Sequence, residues 1–276
     1  MLLAPPPPGP STCAVCLTPL FGQPPQGRVG RGLCHRCRAQ PRAADSVLAI
    51  SYSPHDGALH AMLRDYKATG RAAARLRVAL SAILWRFLAA HERCLAAAAG
   101  AAVDAGGAAF DAVCIVPSTR RRLALRHPLM CVLAALDPVV GRLDCKLLEP
   151  ASAARARVFD PRHFRVARSL RCQSVLLIDD TWTTGASAQS AAAALKLGGA
   201  GSVGVLVIGR HVREGYGDNR VWLSMLERGF DWNRCARCEQ AVRCRGASPR
   251  ALAVREKDGS ADASGGSRIR VERAET

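Results

Sequence analysis

Apolar residues recur along this chain in two patterns. Short, mostly apolar runs occur at 47–52 (VLAISY), 111–117 (DAVCIVP), 175–178 (VLLI) and 203–208 (VGVLVI). Runs of this kind, rich in β-branched residues, mark strands covered on both faces, as in parallel sheets. Helical spacing occupies the gaps. Leu59, Met62, Leu63 and Tyr66 share one face of a predicted helix over 56–67. Leu76, Leu80, Ile83, Leu84, Phe87 and Leu88 form a stripe along an Ala-rich helix over 71–99. Shorter helices are expected over 130–136 and 186–197, and CKLL (145–148) reads as a short strand. Strand, helix, strand across 174–208 is a βαβ unit, which implies a parallel sheet. Residues 1–12 are proline-rich and are expected to be disordered or extended. Residues 246–276 have few large apolar side chains and are expected to be disordered.

Composition sharpens this picture in three ways. A chain of 276 residues, 49% apolar, has room for one sizeable core plus a small module. No apolar run reaches the ~20 residues that span a bilayer. The start, MLLAPPPPGPST, has no basic segment followed by a long apolar one, so no signal peptide and no membrane insertion are expected, and a cytoplasmic location is the default. The formal net charge is +17. That fits binding to a polyanion and equally fits a chain in which arginine is abundant throughout.

Twelve cysteines fall partly in pairs. Cys13-Ala-Val-Cys16 and Cys34-His-Arg-Cys37 are two CxxC knuckles, with Gly27, Gly30 and Gly32 between them to turn the chain. Two knuckles supply four thiolates to one tetrahedral ion, and the spacing predicts a zinc ribbon over 13–44 with structural Zn2+. Four thiolates leave no open position, and a segment this small takes its folding energy from the metal. His35 is expected to be exposed. A third group, Cys235, Cys238 and Cys244, has the makings of a second zinc site completed by His211 or by a more distant cysteine, or else belongs to a reduced tail. His91 and Cys94 are read as packing or surface residues.

The most informative stretch is SVLLIDDTWTTGAS, residues 174–187. An apolar strand ends in Asp179-Asp180, and Thr181, Thr183, Thr184 and Gly185 then lead into a helix. Two adjacent carboxylates at the end of a buried strand are costly unless something uses them. A tight loop opening a helix presents N–H groups and hydroxyls to an anion. Carboxylates accept hydrogen bonds from sugar hydroxyls, so the set suits a sugar phosphate. The pattern resembles the PRPP-binding signature of type I phosphoribosyltransferases, and its TTGAS ending resembles the ComF branch, which joins an N-terminal zinc ribbon to a phosphoribosyltransferase domain.

That resemblance implies an α/β fold, a type I phosphoribosyltransferase-like parallel sheet flanked by helices. It divides the chain into a disordered 1–12, a ribbon at 13–44, a phosphoribosyltransferase-like domain at 45–230 and a largely disordered, cysteine-containing tail at 231–276. It implies that Asp179 and Asp180 bind the ribose hydroxyls of PRPP, and that Thr181, Thr183, Thr184, Gly185 and Ala186 hold its 5-phosphate. Trp182 departs from the usual residue and is expected either to sit over the site or to cap the loop. The strand at 111–117 leads to a pyrophosphate loop, with Ser118, Thr119, Arg120 and Arg126 as its binding residues. The run Arg120-Arg121-Arg122 also reads as a solvated basic loop. The family's Arg-Gly-Phe-Asn is here Arg126-His127-Pro128-Leu129. Lys67 reaches an anion or simply ends its helix in solvent. Arg155 and Arg157 are candidates for a mobile loop before Phe159 and Phe164. Mg2+ is expected with PRPP. If active, the protein would displace pyrophosphate from ribose C1 with a nitrogen nucleophile. Relatives in this branch are associated with DNA uptake, so single-stranded DNA and a helicase-like competence protein are the alternative partners, in a binding or PRPP-sensing role. Few aromatics (5%) argue against an extensive base-stacking platform.

Overall fold

The computed structural model describes residues 2–20, 32–102, 108–118, 127–151, 158–216, 219–226 and 229–238. Four parallel strands form the centre: β1 (Ser46–Pro54), β2 (Ala112–Ile115), β5 (Ser174–Trp182) and β6 (Ser202–Val212), in the order β1-β6-β5-β2. The helices are α1 (His35–Arg38), α2 (Ala58–Asp65), α3 (Arg71–Ala98), α4 (Pro128–Leu133), α5 (Asp137–Val140), α6 (Ala186–Leu197) and α7 (Asn219–Ser224). A small antiparallel pair, β3 (Leu148–Pro150) and β4 (Phe164–Val166), stands apart, with a 3-10 turn at Pro161–His163 before β4.

The period-two geometry of the strands sorts their side chains into two cores. Leu48, Ile50, Val113, Ile115, Leu176 and Ile178 face α2, α3, α4 and α5. Val47, Ala49, Cys114, Val175 and Leu177 face α6, the β3–β4 pair and the cysteine module at the N-terminus. Helices thus flank a parallel sheet on both faces, the arrangement that an unbroken apolar strand requires. The same alternation carries on past Ile178. Asp180 emerges on the α2 side and Asp179 on the α6 side.

Two boundaries differ from the sequence expectation. The helix expected over 130–136 begins earlier, at Pro128, because His127 caps it: its Nδ1 accepts from Leu129 N–H at 3.3 Å, with Pro128 at the first helical position. His127-Pro128-Leu129 is therefore a helix-start signal. The strand expected at 145–148 begins at Leu148, where pairing with Val166 becomes available. Of the two expectations for residues 1–12, the extended one fits the first residues: Leu3 lies beside β1, with its N–H donating to Ser51 Oγ at 2.7 Å and its carbonyl accepting from Tyr52 N–H at 2.8 Å. A disordered arm would lack such bonds. Among the described residues no helix is long and apolar enough to cross a membrane.

Candidate functional site

The carboxyl ends of β5 and its neighbour β2 carry the chemistry, as is usual for parallel sheets. From β5 come Asp179, Asp180 and Thr181. From the end of β2 come Val116, Pro117 and Ser118. With Lys67, His127, Thr183 and Ser187 they line a cleft of about 400 Å³.

Asp180 is buried, and its Oδ2 is doubly engaged. Tyr66 Oη donates to it at 2.5 Å and Lys67 Nζ lies 2.6 Å away. Both partners follow α2, so the helix end that looked solvated points its lysine at the acidic pair. Of the two readings of Lys67, the anion is Asp180 itself. Asp179 is half-buried, and its Oδ1 accepts from the Asp180 backbone N–H at 2.8 Å. Burial, then the neighbouring Asp180 charge, pushes its pKa up to about 7. Burial also lowers the pKa of His127, which faces the same cleft. The arrangement is one engaged carboxylate beside one poised near neutrality.

The loop after the pair is shaped by two residues. Gly185 has φ of +85°, and a Cβ there would lie 2.2 Å from the Trp182 ring. Only glycine tolerates both the left-handed backbone and that ring. Trp182 is 3% exposed and packs with the α6-side core, so it braces the loop from beneath. Thr184 Oγ1 accepts from Ala186 N–H at 3.3 Å and the Gly185 carbonyl starts α6 by accepting from Gln189 N–H at 2.8 Å. The first turn of α6 therefore opens at the cleft, with Thr181, Thr183 and Ser187 on its rim. Ser118 joins them there. Thr119, Arg120 and Arg126, and also Arg155, Arg157 and Cys244, lie outside the described residues. Arg162 is exposed and pairs with Asp160 at 2.9 Å, away from the cleft lining.

Two cysteine clusters have the ligand chemistry for structural zinc. Cys13, Cys16, Cys34 and Cys37 bring one thiol each within 4.8 Å of the others, compatible with a zinc ribbon. Hydrogen bonds with Cys13, Cys34 and Cys37, and the nearby Arg210 guanidinium, hold Cys16 well below the ordinary thiol value. The module packs on the sheet. Tyr52 Oη donates to the Leu17 carbonyl at 2.9 Å, and Arg210 Nε donates to Thr18 Oγ1 at 2.8 Å. His35 is exposed, as expected.

The second cluster corrects the expectation for the tail. Cys235 and Cys238 meet His91 and Cys94, so the more distant cysteine is Cys94 and the histidine is His91, not His211. His91 and Cys94 are one helical turn apart on α3 and both are buried, which is why they read as packing residues. The missed signal was their spacing: residues three apart share a helix face and present two ligands in one direction. His91 Nε2 donates to the Trp232 carbonyl at 2.9 Å, which leaves Nδ1 as the lone-pair nitrogen, 3.6 Å from Cys238 Sγ. A ring nitrogen tied to a carbonyl while the other faces the thiols is the usual support of a metal-binding histidine. A hydrogen bond with Cys235, then one with His91, lowers the Cys94 pKa to about 4. Residues 231–238, expected in a largely disordered tail, are thus fastened to α3, and Arg237 Nη2 also donates to the Val47 carbonyl at 3.2 Å.

No known protein family, curated protein or solved structure matches this chain.

Proposed function

We propose that the protein is a type I phosphoribosyltransferase-like protein of the ComF kind, which binds PRPP with Mg2+ in the cleft at the ends of β5 and β2. One observation carries the reading: Asp179-Asp180 at a parallel strand's carboxyl end are followed at once by a glycine-turned threonine loop that opens a helix into the same cleft. Hydroxyl acceptors beside an anion-binding helix start suit a ribose phosphate. In this reading Asp179 accepts from a ribose hydroxyl, and Asp180, positioned by Tyr66 and Lys67, accepts from the other. Thr181, Thr183, Thr184, Gly185 and Ala186 hold the 5-phosphate, and Ser118 contacts the diphosphate. The oxygen donors in the cleft suit a hard cation, and Mg2+ bound to the diphosphate would neutralise charge on the departing pyrophosphate. Transfer to a nitrogen acceptor would then depend on positioning more than on acid–base chemistry.

The test is calorimetric titration of Mg-PRPP into zinc-loaded protein, beside the Asp179→Asn/Asp180→Asn variant. Saturable binding that the variant loses supports the reading. No binding by folded wild-type protein overturns it.

A second reading is favoured by the charge of +17: a non-catalytic accessory that binds single-stranded DNA through phosphates, beside a helicase-like partner. Affinity for an oligonucleotide that falls steeply with salt supports it, and salt-insensitive binding argues against it. PRPP sensing adds the requirement that PRPP change that affinity.

A further inference from the structure

Three histidines outside the cysteine clusters and the acidic pair converge in a cavity that adjoins the cleft, with His60 lining both. His55 directly follows β1, His60 lies in the first turn of α2, and His211 lies on β6. One ring nitrogen from each falls within 4.8 Å of the other two. The ring centroids are 4.9 Å apart for His55–His60, 4.6 Å for His60–His211 and 5.6 Å for His55–His211. Parallel pairing is the cause. Ser53 stands opposite His211 in the β1–β6 register, so the chain leaving β1 carries His55 past that point, and the turn into α2 brings His60 back over it.

Three rings in van der Waals contact are often only a surface cluster. One feature points further. His211 Nδ1 is buried and makes no hydrogen bond of ordinary geometry among the described residues, with the Ser53 backbone as the polar neighbour that interacts with the ring. One ring nitrogen of each histidine is close enough to the other two for all three to share a single cation.

We propose that His55, His60 and His211 form an open three-histidine site for a divalent transition metal ion such as Zn2+, Co2+ or Ni2+. Imidazole is the ligand type these ions prefer. Three protein ligands leave a position free, the mark of a reactive rather than a structural centre. That position faces a cavity of about 480 Å³, which the histidines share with Thr181, Thr183 and Thr184. Arg36, Arg210 and Arg213 line the same cavity. Their charge opposes a bare cation and favours an anionic oxygen as the fourth ligand. The site uses neither Asp179 nor Asp180, so it stands whether or not PRPP binds.

The experiment is a Co2+ titration of untagged protein whose thiol clusters are first filled with zinc. It is followed by visible absorption and by metal count after desalting. One additional Co2+ per chain is expected, with ligand-field bands but no sulfur-to-metal charge transfer. His55→Ala and His60→Ala, both at exposed or half-exposed positions, should each weaken it by more than the ~10–100-fold that losing an outer partner costs. Their zinc content and circular dichroism should stay unchanged. Absence of extra Co2+ in wild type, a charge-transfer band showing thiolate ligation, or wild-type affinity retained in either variant would each overturn the proposal.

Discussion

Gly185 shows how one residue can set the shape of a whole loop. An alanine there must adopt a left-handed backbone, which costs ~1–2 kcal/mol, and must also displace the Trp182 ring. Gly185→Ala is therefore expected to lower stability by at least that amount, read as a shift in the urea midpoint. Gly185→Ala combined with Trp182→Leu should recover the steric part and keep the backbone part. Asp179 makes a different prediction. Its pKa is raised to about 7 in the folded protein, against 3.8 in the unfolded chain. Between those values the folded state holds the extra proton, so this group's contribution to stability falls as pH rises through the window. Asp179→Asn should flatten that part of the stability–pH profile. If the ionised carboxylate receives the ribose, PRPP affinity in wild type should rise with pH up to about 7 more steeply than in the variant. Tyr66→Phe removes a hydrogen bond to a buried carboxylate, and a loss of ~1.5–3 kcal/mol is expected in chemical denaturation.

Elements show why some of this was legible and some was not. The strand at 174–182 and the helix at 186–197 could be read directly, because periodicity, glycine and hydroxyl residues all agree there. The long helix over 71–98 was equally plain, but its use was not. His91 and Cys94 lie on its buried face, where a histidine and a cysteine look like any core residues, and their partners are more than a hundred residues away. Local pattern carries no information about such a meeting. His55, His60 and His211 were hidden for the same reason: strand pairing brings them together, not spacing. The α3 cluster has a direct consequence. Wild type is expected to hold zinc at both cysteine clusters. Cys94→Ser should reduce the metal count by one and expose 231–238 to proteolysis, while the N-terminal cluster keeps its ion.

For the whole molecule, the four-stranded parallel sheet and its two helical faces follow from the unbroken apolar strands, since only a covered sheet can bury them. Its strand order, β1-β6-β5-β2, does not follow. It depends on which crossovers pack, a property of the full chain. The order matters because it sets the acidic pair of β5 between Ser118 beyond β2 and His211 on β6, making two adjoining cavities from one row of strand ends. The net charge of +17 also acts at this scale. It predicts that any oligonucleotide binding weakens with added salt, with a log–log slope set by the number of phosphates neutralised.

The cysteine module and the sheet would pass for two domains on a sequence diagram, divided near residue 44. The contacts between them argue otherwise. Gln189, inside α6, accepts from the backbone N–H groups of Ala43 and Ala44 at 2.7 and 3.0 Å, and Cys13, Cys16 and Cys37 share a core with Val47 and Trp182. Thr18 and Cys34 also line the cavity that Thr183 lines. The two pieces are thus not interchangeable parts. A ribbon grafted from another protein, however well it binds zinc, would leave Tyr52, Gln189 and Arg210 without their acceptors and donors, and would open one side of the cavity to water.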